Sequence, residues 1–274
     1  MYAGTTLTKW SGAVFGAHQK IDRVARHNLD VLLVGRANGF PRSQEILRFE
    51  GKDGPDGIKR KTPAQGEPWH YFDPYDPKDN GLVVIIEYHY KELTKALKDR
   101  NRARASFEAA WLSHAIVDGL TPAHHYPYEA ELTKLRGGEG IETRTSVKEK
   151  LIMHGDTRMQ QLGNNWKMWG PKGLLTTHGL FEFGVASIIA PLKLTAGRPS
   201  DEDLAELVGK GLPRLFREKA IEIADKNMYI EFYKRGWTVK LARQVRRELA
   251  PMIVDMVTLA WYGALRDSQE TTKK

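Results

Sequence analysis

Apolar residues recur at helical spacing along most of this chain, and that periodicity restricts the fold more than any other feature. Over 18–34 they fall at Ile21, Val24, Ala25, Leu29, Leu32 and Leu33, which share one face of a helix. Segments 81–98, 103–119 and 174–192 read the same way, the second stopped by Thr121-Pro122. Helices are also expected over 145–162, 220–233 and 239–266, with Pro251 kinking the last, and Ser200 caps another. Segment 126–140 fits no single pattern. Segments 51–79 and 163–172 read as loops rich in Gly, Pro, Asn and Trp. The runs LLV and LVVIIE are apolar enough for strands, but no hairpin turn or pairing partner accompanies them. No repeat or linker divides the chain. The expectation is an all-α fold, a single multi-helix domain over 1–274.

Against that background one stretch stands out, LSHAIVDGLTPAHHYPY at 112–128. His114 and Asp118 stand i, i+4 on one helix face, which puts an imidazole nitrogen and a carboxylate within reach of one ion. Pro122 ends the helix and His124 returns in the following turn. A lone pair of this kind is as readily a surface pair or a helix end with a polar tip. The spacing repeats at His178 and Glu182, where a carboxylate on an apolar helix needs either water or a cation. His70 lies in the long loop, in PWHYFDPYDP, with Asp56 fourteen residues before it, and His18 opens the first helix. The chain has no cysteine, so a metal must be held by nitrogen and oxygen, and neither a disulfide nor a thiol nucleophile exists.

These segments, in this order, resemble the zinc-dependent phospholipase C / P1 nuclease superfamily. The resemblance rests on H-x-x-x-D-x-x-x-P-x-H at His114, Asp118, Pro122 and His124, and on H-[FY]-[FY]-D-P at 70–74 preceded by Asp56. It rests also on H-x-x-x-[ED] at His178 and Glu182, and on the early His18 whose helix reaches Ala25. It implies an all-helical fold and two to three zinc ions. The first ion would take Asp56, His70, His114 and Asp118; the second His124, His178 and Glu182; the third His18 and the other oxygen of Asp118. It further implies that Asp56 is the catalytic residue handling the proton of the attacking water. In that family the third ion also takes an N-terminal tryptophan. Here Trp10 is not the first residue, so that ligand requires cleavage after Lys9 or a differently built third site.

Other departures concern access and specificity. The interval between His124 and His178 is longer than in compact phospholipases, an insertion of about 129–173 that could lie over the site. Its His154, Trp166 and Trp169 are expected to serve in packing, and His27 and His89 in structure. Gly57 and Glu67 stand where choline-preferring relatives carry aromatics. The resemblance implies a phosphodiester hydrolase, most simply one acting on phospholipid headgroups. A P1-like single-strand nuclease and a non-catalytic, zinc-stabilised helical binding module are the alternatives.

The formal charge of +8 and pI near 9.4, with denser basic runs at 91–104 and 240–247, suit a polyanion: nucleic acid, an anionic membrane touched peripherally, or a phosphate-bearing substrate. They serve solubility equally well. No signal peptide is legible at the N-terminus. The most apolar run, APMIVDMVTLAWYGAL, carries Asp255 and is short for a bilayer, so no transmembrane segment is expected and the compartment stays open.

Overall fold

The computed structural model describes residues 16–34, 37–51, 53–59 and 61–270; Trp10 lies outside them. Among the described residues there is no strand, and LLV and LVVIIE both belong to helices or their ends. Helices α1 (Ala17–Leu32), α4 (Gly81–Lys98), α5 (Arg102–Gly119) and α9 (Leu174–Ile189) follow the periodic segments closely. Between α1 and α4 the described residues form two short α-helices, α2 (Ser43–Leu47) and α3 (Pro55–Ile58), and two 3-10 turns, so the long loop is largely a loop.

The core forms around the last long helix, α14 (Ala250–Glu270). Ile253, Val254, Met256, Val257, Leu259, Ala260, Trp261 and Ala264 on it are fully buried, and α1, α4 and α5 pack against it. The indole of Trp261 donates to the carbonyl of Ala109 on α5 at 3.1 Å. The end of α5 is seated equally tightly. A Cβ on Gly119 would come within 2.5 Å of Leu82 and of the Phe216 ring. That glycine lets the residue before it, Asp118, sit deep between helices.

The C-terminal helices differ from the sequence expectation in instructive ways. The expected helix over 220–233 is two, α11 (Leu212–Asp225) and α12 (Met228–Arg235), parted where Asn227 takes a left-handed φ of 51°. Helix α10 (Asp201–Lys210) begins at Ser200, whose side chain accepts from the Asp203 amide in a capping box. The kink expected at Pro251 is realised as a π-helical turn, Val245–Leu249, between α13 (Val239–Gln244) and α14. Proline cannot donate to the i−4 carbonyl, and the widened turn absorbs that loss. The continuous helical run Val239–Gln269 is long and apolar enough to cross a membrane by length and composition, and 78% of its apolar window is buried inside the fold. The shorter run read from sequence understates its length.

The 129–173 segment also departs from expectation. It carries α6 (Tyr128–Leu135), α7 (Val147–Leu151) and α8 (Arg158–Trp169). The single helix expected over 145–162 is broken, and the loop expected over 163–172 is mostly helix. Two N-caps explain this: Ser146 accepts from the Glu149 amide and Thr157 from the Gln160 amide. Between α7 and Thr157 the chain is not helical, and Asn165 of α8 pins it by bonding both N–H and C=O of Met153. Tyr128, Leu132, Met153 and Met168 form a small second core there.

Candidate metal centre

Helix α5 places Ser113, His114 and Asp118 inside the bundle, and a 3-10 turn over Pro122–His125 brings His124 back beneath it. Helix α1 supplies His18 and α9 supplies His178 and Glu182; the 51–79 loop supplies Asp56 and His70. All eight described residues singled out from sequence converge. Asp118 is the hub. Its Oδ1 lies 3.3 Å from His18 Nε2 and 3.7 Å from His124 Nδ1, and its Oδ2 lies 3.3 Å from His114 Nε2. Asp56 stands 3.8 Å from His114 Nε2. On the other side, Glu182 Oε1 lies 2.8 Å from His124 Nε2 and 3.2 Å from His178 Nε2. The His18 and His114 rings stack at 4.0 Å, those of His124 and His178 at 5.0 Å, and His70 stands 5.2 Å from His124.

The separations bear on what the groups can hold. Two donors on one tetrahedral ion, each at about 2.0–2.2 Å, stand roughly 3.3–3.6 Å apart. The contacts of Asp118 with His18 and His114 match that spacing and are longer than an ordinary N–H···O bond. His114 Nε2 is buried and makes no hydrogen bond. The His124–Glu182 contact, at 2.8 Å, and to a small extent the His178–Glu182 contact, at 3.2 Å, would have to open to admit an ion. Two groups, His18/Glu50/His114 and His124/His178/Glu182, could each hold a metal ion.

Three of the imidazoles, those of His70, His114 and His124, have one nitrogen anchored from behind, the arrangement found in metal-binding histidines, whereas His178 Nδ1 makes no hydrogen bond. His70 Nδ1 is 3.0 Å from the carbonyl of Pro68, and His124 Nδ1 is 3.0 Å from the carbonyl of His70. His114 Nδ1 is 3.3 Å from the carboxylate of Glu50, which is fully buried. Glu50 thus has two possible places in the centre, as a ligand beside His18 and His114 or as a carboxylate holding His114 from behind. It was not legible in sequence, since a lone Glu in RFEGKD carries no spacing signal. Asp22, bonded by the Ser113 hydroxyl, and Lys59, 2.7 Å from Asp56, were likewise missed.

Charge in the site is tuned to the same end. Burial opposes ionisation of Asp118 and Glu182, yet both stay well below the usual carboxylate range, with the neighbouring histidines among the groups that lower them. Burial pushes His70 well down and His124 down to about 4, leaving both neutral and able to donate a lone pair. His114 is the exception: burial lowers it, but Asp118 and Glu50 outweigh this and raise it to about 10. Without a cation it is an imidazolium; a metal ion would displace that proton.

Other histidines lie apart. His125 Nε2 bonds the carbonyl of Gly119, so His124 and not His125 enters the cluster. His89 is buried against Glu108 at 2.6 Å, and His27 is exposed. Three packing expectations fail: His154, Trp166 and Trp169 are all exposed. Helix α8 turns that face to solvent and buries Met168 instead.

The cluster opens onto a cavity of about 490 Å³. Asp56, Lys59, His70, Asp118, His124, His178 and Glu182 form its floor. The 129–173 segment contributes Leu132, Val147, Leu151 and Met168 to its wall, together with Arg144 and Lys150. Tyr71 and Tyr128, stacked at 5.2 Å, line it between the two. No protein-family model matches the chain, and no curated protein matches it in sequence.

Proposed function

We propose that the chain is a zinc-dependent phosphodiester hydrolase of the phospholipase C / P1 nuclease type, acting on phospholipid headgroups. One observation carries the reading. Eight residues spread from His18 to Glu182, each marked by a motif of that superfamily, gather in one cluster: six of them line one cavity, and His18 and His114 lie behind it against Asp118. Their chemistry suits zinc, which accepts imidazole nitrogen and carboxylate oxygen and leaves positions open for water in catalytic sites. When bound, zinc polarises phosphoryl oxygens and lowers the pKa of its water.

The chain's own residues supply the rest. Asp56 is the most exposed of the floor carboxylates, with 20% of its side chain accessible. Burial would raise it, but Lys59 and His114 hold it well below the usual range, so it stays an acceptor. Such a carboxylate orients an attacking water by taking its hydrogen bond. The Lys59 ammonium lines the same floor and offers positive charge to a phosphoryl group. Leu132, Leu151, Met168 and Leu175 give the cavity an apolar wall beside a charged floor, which favours an amphiphilic diester over an oligonucleotide.

The test pairs metal analysis with hydrolysis of a phospholipid and of a single-stranded oligonucleotide. Headgroup release without strand cleavage is expected, and Asp56→Asn should lower the rate by roughly 10²–10⁴-fold with most of the metal retained. Strand cleavage alone would favour the nuclease, and a fully zinc-loaded protein inert to both would favour the binding module. Full activity in Asp56→Asn would refute the role given to that carboxylate.

A further inference from the structure

Helix α8 is amphipathic in the reverse of the usual sense. Met159, Leu162 and Trp166 stand i, i+3 and i+7 along one face and are 78%, 66% and 69% exposed. Trp169 continues the face, and Val147, Leu151 and Ile152 of the α7 turn are exposed beside it. The helix is held in place by Met168, buried on the opposite face, and by Asn165 at its flank. A run of large apolar side chains turned to water on an anchored helix marks an interaction surface.

Charge and composition say what it meets. Segment 147–173 carries Lys148, Lys150, Arg158, Lys167 and Lys172 against Glu149 and Asp156, five cations to two anions. All of these cations but Lys150 are exposed. Tryptophan with flanking lysine is the composition of a helix lying in a membrane interface, with the indoles at headgroup depth and the cations on anionic lipid. We propose that α8 is a docking surface for an anionic lipid bilayer. Docking there sets the cavity beside the bilayer, because Met168 and Leu151, on the same elements, line its wall. The proposal deepens the phospholipase reading and rests on it for the use of the docked state.

Co-sedimentation with phosphatidylcholine–phosphatidylglycerol vesicles tests it, using the full metal-loaded chain. The wild type should bind these vesicles, more weakly as salt rises, and bind pure phosphatidylcholine less. The combined variant Met159→Ser, Leu162→Ser, Trp166→Ser should lose roughly 100-fold in partitioning. Val239→Ser, equally exposed on α13, should bind as wild type. Circular dichroism and hydrolysis of a small soluble phosphodiester should be unchanged in the triple variant. The proposal is overturned if that variant still binds vesicles. It is overturned too if the wild type ignores vesicles and instead forms a dimer that the triple variant abolishes. Vesicle binding by a protein inert to every diester would keep the docking surface and sink the hydrolase reading. Soluble-diester hydrolysis without vesicle binding would do the reverse.

Discussion

Asp118→Asn changes one buried carboxylate into its neutral isostere and should cost the protein more than one metal ion. The two oxygens of Asp118 serve different imidazoles, Oδ1 facing His18 and Oδ2 facing His114, each at 3.3 Å. An amide offers one oxygen and no charge. A unit charge about 4 Å from its partner is worth ~4 kcal/mol at the effective dielectric of a protein site. Losing that much from each ion lowers each affinity roughly 10³-fold. After gel filtration in metal-free buffer, mass spectrometry should show two ions fewer per chain. Asp255→Asn, at another buried acid on α14, serves as the control and should leave metal content unchanged. If Asp118→Asn keeps its full complement, or loses only one ion, the carboxylate does not bridge. The assignment of His18 and His114 to different ions would then be wrong.

Glu50→Gln should weaken metal binding by about 10–100-fold, since it removes either a ligand beside His18 and His114 or the carboxylate that fixes the back of His114; chelator competition measures it, and an unchanged affinity would return Glu50 to a purely structural role. Asp255 gives a pH signature away from the site. Burial pushes its carboxyl up to about 7. The folded protein therefore holds this proton more tightly than the unfolded chain, and the resulting loss of stability is absent below pH ~4 and complete above pH ~7. Asp255→Asn should thus stabilise the protein at pH 8, by at most about 4 kcal/mol, and change little at pH 4. Urea unfolding at the two pH values decides it, and an equal shift at both would refute the linkage.

The long buried helices were legible because burial imposes a period: α1, α4, α5 and α9 follow their apolar spacing almost to the residue. The insertion was not, because α8 breaks the rule that apolar faces turn inward. Ser146 sets the start of α7 and Thr157 that of α8, their hydroxyls competing with residues of better helix propensity on either side. The site showed the same division. His114, Asp118, His178 and Glu182 carry helical spacing and could be read in pairs. That the two pairs face each other across His124 depends on a 3-10 turn and on Gly119, neither of which spacing reveals. Glu50 meets His114 across a sequence separation of 64, where only tertiary packing makes them neighbours.

The order of the chain also governs how the centre can come into being. Every described ligand candidate lies between His18 and Glu182, whereas the helix on which α1, α4 and α5 pack begins at Ala250. During synthesis the donors leave the ribosome well before the scaffold that sets their spacing. A metal captured at that stage meets loose histidines and carboxylates, for which the tightest-binding divalent ion wins regardless of geometry. Selection by the 3.3 Å spacing of the finished site starts only when α14 has emerged and the core has closed. On the zinc reading proposed above, metal choice would thus be a late event of folding, exercised by α14.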